Sequence, residues 1–194
     1  MWSKTRQILK SKLADSLKDR IDYHYDVYQT DKCRKIKAHW RWRCSEMHVF
    51  SIIVDGEAWF CTNPNFYYEQ RSRMRSYNAE EWEKATNDTI RETGLVDGGF
   101  WNTDAPKYIH KYLNELSIDE AFTHANYFIR LLAVLDSRVG KRRLRPLLDN
   151  IENEPEWFRK WIRLRCEAEG LCSKTEQQSE VLDNQLIINN KDEF

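Results

Sequence analysis

The chain has 194 residues, enough for one core with a smaller satellite or for two small packed units. Its apolar content of 41%, with eight Trp, nine Tyr and eight Phe, excludes a disordered chain. The 31 basic and 31 acidic residues cancel, so steering by whole-molecule charge is excluded as a main device.

The charge is unevenly placed: residues 1–50 carry 12 Lys or Arg against 6 Asp or Glu, and residues 167–194 carry 2 against 7. No window approaches 18 consecutive apolar residues and the N-terminus lacks the apolar stretch of a secretory signal. No membrane association and a cytoplasmic location are therefore expected. Five cysteines at irregular spacing point to free thiols rather than a disulfide framework.

Trp2, Ile8, Leu9, Leu13 and Leu17 recur at one- to two-turn intervals and predict an amphipathic helix over about 2–18. Alternation then predicts strands at Ile21–Tyr28 and Ile36–Cys44, and Val49–Val54, Asp55-Gly56 and Ala58–Cys61 predict a tight hairpin. Together these form an antiparallel meander of about four strands, with the first helix on its apolar face. Phe66 to Met74 reads as a short helix, and Asn78 with Glu81 caps another that ends at Gly94. Residues 94–106 are the best candidate linker.

The second half reads as helical. Ser117 with Glu120 forms a capping box, and Asn126 caps a helix whose apolar set from Phe128 to Leu135 is too broad for a solvent-exposed helix. That helix is expected to include Asp136 and to end or bend at Gly140. Arg142 to Leu148 is a short helix interrupted by Pro146, and Pro155 opens Glu156 to Glu169. Phe128-Ile129-Arg130 is echoed by Trp157-Phe158-Arg159, and the two helices end at glycines 30 residues apart. This suggests a HEAT-like hairpin array, with a small bundle as the alternative. The fold class is α+β. The divisions are 1–75 (helix plus sheet), 76–172 (helical region packed on or beside it) and 173–194 (polar acidic tail).

No catalytic motif stands out: there is no nucleophile elbow and no phosphate-binding glycine loop. Nor are the five histidines spaced as helical metal ligands, although His24, His39 and His48 are able to converge across adjacent strands. No cofactor or metal is expected. Asp136 within an apolar helix needs donors, and Arg138, Arg142 or Arg143 returning across the Gly140 bend are the nearest, making a structural clasp between helices. The same cluster, Arg138, Lys141, Arg142, Arg143 and Arg145, is a candidate phosphate-binding surface. Lys32 to Arg43, interleaved with Trp40 and Trp42, is a second basic region. Glu152, Glu154, Glu156 and the acidic tail are available to balance these bases.

The opening Met1-Trp2-Ser3-Lys4, the segment Leu135-Asp136-Ser137-Arg138-Val139-Gly140-Lys141-Arg142-Arg143-Leu144, and Arg163-Leu164-Arg165 resemble a family of small uncharacterised bacterial proteins. The resemblance implies a bacterial cytoplasmic protein and transfers no catalytic or cofactor residue. A protein-interaction module without catalysis, with a protein partner, is the expected function. Nucleic-acid binding through residues 138–145 is the alternative.

Overall fold

The first helix is shorter than its apolar spacing suggests, because its C-terminal end is captured by a distant segment. In the computed structural model, which describes residues 2–29, 46–63, 77–96 and 105–171, α1 spans Trp2–Lys12. Leu13 then leaves the helix and pairs with Asp136 in an isolated antiparallel bridge. Ala14 N–H donates to the Leu135 carbonyl at 3.0 Å and Ser137 N–H to the Lys12 carbonyl at 2.8 Å. These bonds satisfy groups that a continued helix would have paired internally. A 3-10 turn, Asp15–Leu17, leads to the sheet.

Strands β1 (Ile21–Gln29), β2 (Glu46–Val54) and β3 (Glu57–Cys61) pair antiparallel in chain order. The Ile36–Cys44 strand lies outside the described residues. β1 pairs with β2 along its whole length, from Ile21 with Val54 to Gln29 with Glu46, so no strand comes between them. The hairpin turn has φ of 50° at Asp55 and 89° at Gly56, positive at both centres as its tight two-residue loop requires. A bulge opposite Ile52/Ile53 sets Phe60 against Ile52 and Ala58 against Ile53. The extra residue, Trp59, is re-aimed and meets Trp161 edge-on, ring centres 5.6 Å apart.

One sheet face carries Ile21, Tyr23, Phe50, Ile52, Val54 and Phe60, all buried. It packs on α5 (Tyr127–Leu135), where Phe128 stacks on Phe60 at 5.2 Å and meets Phe50 edge-on at 5.6 Å. Eight of the nine α5 residues are buried, as expected for a helix apolar all round. Around it lie α2 (Ala79–Thr93), α3 (Ala105–Asn114), α4 (Ile118–Phe122) and α7 (Glu156–Ala168), and α6 (Lys141–Asp149) packs on α7. In a solenoid each unit touches only its neighbours. A central helix enclosed by four others is instead a bundle, so the HEAT-like array is not the architecture. Both halves of the chain contribute to the same core.

Several boundaries follow their capping chemistry. Asn78 with Glu81 and Ser117 with Glu120 form complete capping boxes, and Asn126 accepts from Phe128 N–H and Ile129 N–H. Residues 94–106 do not all form a linker, since α3 begins at Ala105. Asp136 is the extended C-cap of α5 rather than a residue inside it, and Gly140 caps the start of α6 rather than ending α5. Pro146 lies inside α6 without stopping it. The carbonyl deprived of its donor belongs to the exposed Arg142. The short helix expected over 66–74 and the tail from 173 lie outside the described residues.

Candidate functional site

The carboxylate of Asp136 is wholly buried and stands where α1, α3 and α5 meet. Arg138 closes on it with Nε 3.0 Å from Oδ1 and Nη2 2.8 Å from Oδ2, and Arg138 N–H donates to Oδ1 at 2.8 Å. The Tyr112 hydroxyl, on α3, donates to Oδ2. Burial opposes ionisation of Asp136, but the bonds from Arg138 and Tyr112 outweigh it and hold its pKa below the usual aspartate value. Burial, reinforced by the Asp136 charge, pushes the Tyr112 phenol up. The bond to Asp136 raises Arg138 in turn. The space beside this cluster has no room for a water molecule.

Of the three arginines expected to clasp Asp136, Arg138 alone touches it. Arg143 reaches the Asp119 carboxylate on α4 and donates to the Arg138 carbonyl at 3.2 Å. Arg142 is exposed. Arg138 sits only two residues from the acid, so its contact is local and closes the turn. The tie between elements comes from Tyr112, whose position is set by the spacing Ala105, Tyr108, Ile109, Tyr112 along one buried face of α3. That periodicity is present in the sequence and marks Tyr112 as buried, but not as a partner of Asp136.

A second tie involves Arg165 on α7, which is buried. It donates to the Val139 carbonyl at 3.0 Å and to Ser16 Oγ at 3.3 Å, and pairs with Glu169. The 3-10 turn before the sheet, the turn after Asp136 and α7 are thereby joined.

With Arg138 and Arg143 engaged, Lys141, Arg142 and Arg145 remain as the exposed bases of α6. The first turn of α6 contains no acid, and Gly140 provides no side-chain cap. Cations at a helix N-terminus oppose the helix dipole. Glu152 and Glu154 do not balance this group: Glu152 pairs with Arg159 and Glu154 with Arg130.

The larger opening lies between α2 and the turn joining α4 to α5, a groove of about 560 Å³. One wall is the polar stripe Glu80, Glu83, Lys84, Asn87, Asp88 and Arg91; His124, Tyr127 and Arg130 contribute to the other. Asn126 is buried and organises this side. Its Oδ1 caps α5, its Nδ2 donates to Asn87 Oδ1 at 2.9 Å, and its N–H donates to His124 Nδ1 at 2.9 Å. Those bonds leave the Asn87 amide NH₂ and, in the neutral ring, His124 Nε2–H as the unspent donors. Burial and then Lys111 push the His124 pKa down, against Glu83, favouring that neutral ring.

A model of the SF0329 protein family matches residues 1–166. The chain belongs to the SF0329 family. The matched region includes the Asp136 cluster, the α6 bases and every residue of the groove. No curated protein and no solved structure matches the chain.

The histidines are dispersed in this SF0329 chain. Strand register sets His24 opposite Ser51 and His48 opposite Val27, so two residues of opposite parity face opposite sides of the sheet. The convergence considered for His24 and His48 is therefore closed; His39 lies outside the described residues. His48 contacts the Tyr25 hydroxyl at 3.0 Å. Among the described residues Cys61 and Cys166 form no disulfide, and no group of three or more His, Cys, Asp or Glu side chains is arranged to hold a metal ion. No helix among them is long and apolar enough to cross a membrane.

Proposed function

We propose that the chain is a protein-recognition module of the bacterial cytoplasm that acts without catalysis, its helical half presenting the groove and its sheet half holding that surface rigid. The observation that carries this reading is the groove: open, about 560 Å³ in volume, and walled by charges of both signs. No hydrogen bond or ion pair among the described residues engages the side chains of Glu83, Lys84 or Arg91. The groove's hydroxyls are already committed, Thr123 to the Asp119 carbonyl at 3.0 Å and Tyr127 to Glu154 at 2.9 Å. His124 has Nδ1 occupied by a backbone N–H. The one groove hydroxyl that meets a carboxylate is Tyr127, and that carboxylate, Glu154, is already held by Arg130 through both its oxygens, an arrangement that favours binding over chemistry. In the same reading Asp136, Arg138 and Tyr112 form a structural clasp.

The test begins with a partner captured from the native cell, identified and purified. In direct titration, Lys84→Glu with Arg91→Glu weakens its binding at least tenfold, and Lys141→Glu with Arg142→Glu and Arg145→Glu leaves it intact. The opposite pattern rejects the groove as the recognition surface.

The uncapped, all-basic first turn of α6 supports the second reading, nucleic-acid binding. An anion there relieves the conflict between Lys141, Arg142 and the helix dipole. Mixed-sequence DNA or RNA then binds with an affinity that falls steeply with salt. Absence of binding at low salt removes this alternative.

A further inference from the structure

The charges of the groove are ordered along α2. Glu80 and Glu83 lie at its N-terminal end and Arg91 near its C-terminal end. Between them Lys84 stands four residues from both Glu80 and Asp88 and is shared between the two acids, and Asp88 is also three residues from Arg91. Arg130 is neutralised by Glu154, with Nη2 2.7 Å from Oε1. The row therefore begins with an excess of acid at Glu80 and Glu83 and ends on the base Arg91.

Separation decides between ligand classes. At about 1.5 Å rise per residue, Glu83 and Arg91 are about 12 Å apart along the axis. The ammonium and carboxylate of a single amino acid sit far closer than this, and one phosphate engages only the basic end. An extended chain advances about 3.3 Å per residue, so charges separated by about three to four residues match the two ends. Along the span between them stand the two donors that Asn126 fixes, the Asn87 amide and His124 Nε2–H. Both match main-chain carbonyls rather than a further charge.

Resting on the protein-recognition reading, we propose that this groove binds an extended peptide segment of the partner, with a basic side chain against Glu80 and Glu83, a carboxylate against Arg91, and main-chain carbonyls on Asn87 and His124. Asn126 is a positioning residue in this site: it touches no ligand, and it fixes which hydrogens the other two present.

The probe is a capped five-residue peptide, Lys-Ala-Ala-Ala-Glu, titrated into the full chain while NMR follows the Asn87 side-chain amide and the His124 ring. Saturable shifts of both signals are expected. Replacing either charged peptide residue with Gln weakens binding at least tenfold. Arg91→Glu abolishes binding of the parent peptide, and Lys-Ala-Ala-Ala-Lys binds that variant better than the parent peptide does. Arg91 is exposed, so the rescue separates lost charge complementarity from a damaged fold. No saturable shift, or shifts indifferent to the peptide charges, overturns the proposal. If the captured partner still binds through Lys84 and Arg91 after this failure, the recognition module stands and only the peptide assignment falls.

Discussion

At the scale of single residues, the buried carboxylate of Asp136 concentrates more polar bonding than any spacing rule anticipates. Its partners differ in what they lose when it is removed. The Arg138 side chain is 42% exposed and regains water, whereas Tyr112 is 2% exposed and its hydroxyl has nowhere to turn. Asp136→Ala is therefore expected to destabilise the fold by about 1–3 kcal/mol, mainly through the stranded phenol and the Arg138 N–H. Tyr112→Phe isolates the inter-helix part: a double-mutant cycle with Asp136→Ala should return a coupling of about 1–2 kcal/mol. Urea midpoints measured for the parent, both single variants and the double variant provide the check. Additive effects would show that the α3 tie contributes nothing, and an unchanged midpoint for Asp136→Ala would remove the clasp altogether.

Among the elements, the junction of α2 with α7 depends on Gly94. Its φ of +70° closes α2, and a Cβ there would lie 2.7 Å from the Trp157 ring. The Trp157 Nε1–H donates to the Arg91 carbonyl at 2.9 Å, satisfying a carbonyl in the last turn of α2. Gly94→Ala thus combines a left-handed backbone with a steric clash, and a loss of about 2–4 kcal/mol is expected. Gly170 has φ of +68° and open space around its Cβ position. Gly170→Ala should therefore lose only the backbone part, about 1 kcal/mol, and equal denaturation midpoints for the two variants would refute the clash. The end of α2 at Gly94 was legible because the backbone requirement is written in one residue. The Asn78, Ser117 and Asn126 caps and the Asp55-Gly56 hairpin were legible on the same grounds. The end of α1 was not, since Leu13 leaves the helix for a backbone bridge to Asp136, 123 positions away, that leaves no mark on local spacing. The groove was equally hidden: Asn126 reads as a helix cap, and its bond to Asn87 exists only once α2 lies against the α4–α5 turn.

Across the whole molecule, shifted groups on both sides of neutrality shape how stability depends on pH. Asp136 is lowered from 3.8, and Asp22, bonded to Arg6, is lowered to about 2. Between the unfolded and folded values the unfolded chain binds more protons, so their contribution is complete above about pH 4 and is lost as pH falls through the folded values. His124 is lowered from 6.5, which places an earlier step on the same side: its contribution is complete above about pH 6.5 and declines below it. Tyr23 and Tyr112 are raised from 10.0, so theirs is complete below pH 10 and is lost as pH rises further. The expected profile on the acid side is a shallow decline starting near pH 6.5 and a steeper one below about pH 4. Protonation of His124 puts a hydrogen on Nδ1, which then no longer accepts from Asn126 N–H, so the shallow step reports on the turn that forms one wall of the groove. His124→Gln retains an acceptor without titrating and should abolish that step alone. Asp136→Asn should shrink the steeper one to the part that Asp22 contributes. Urea midpoints from pH 9 to 3 read both, and a parent midpoint constant between pH 7 and 5 would mean that His124 keeps its unfolded pKa and does not hold the turn.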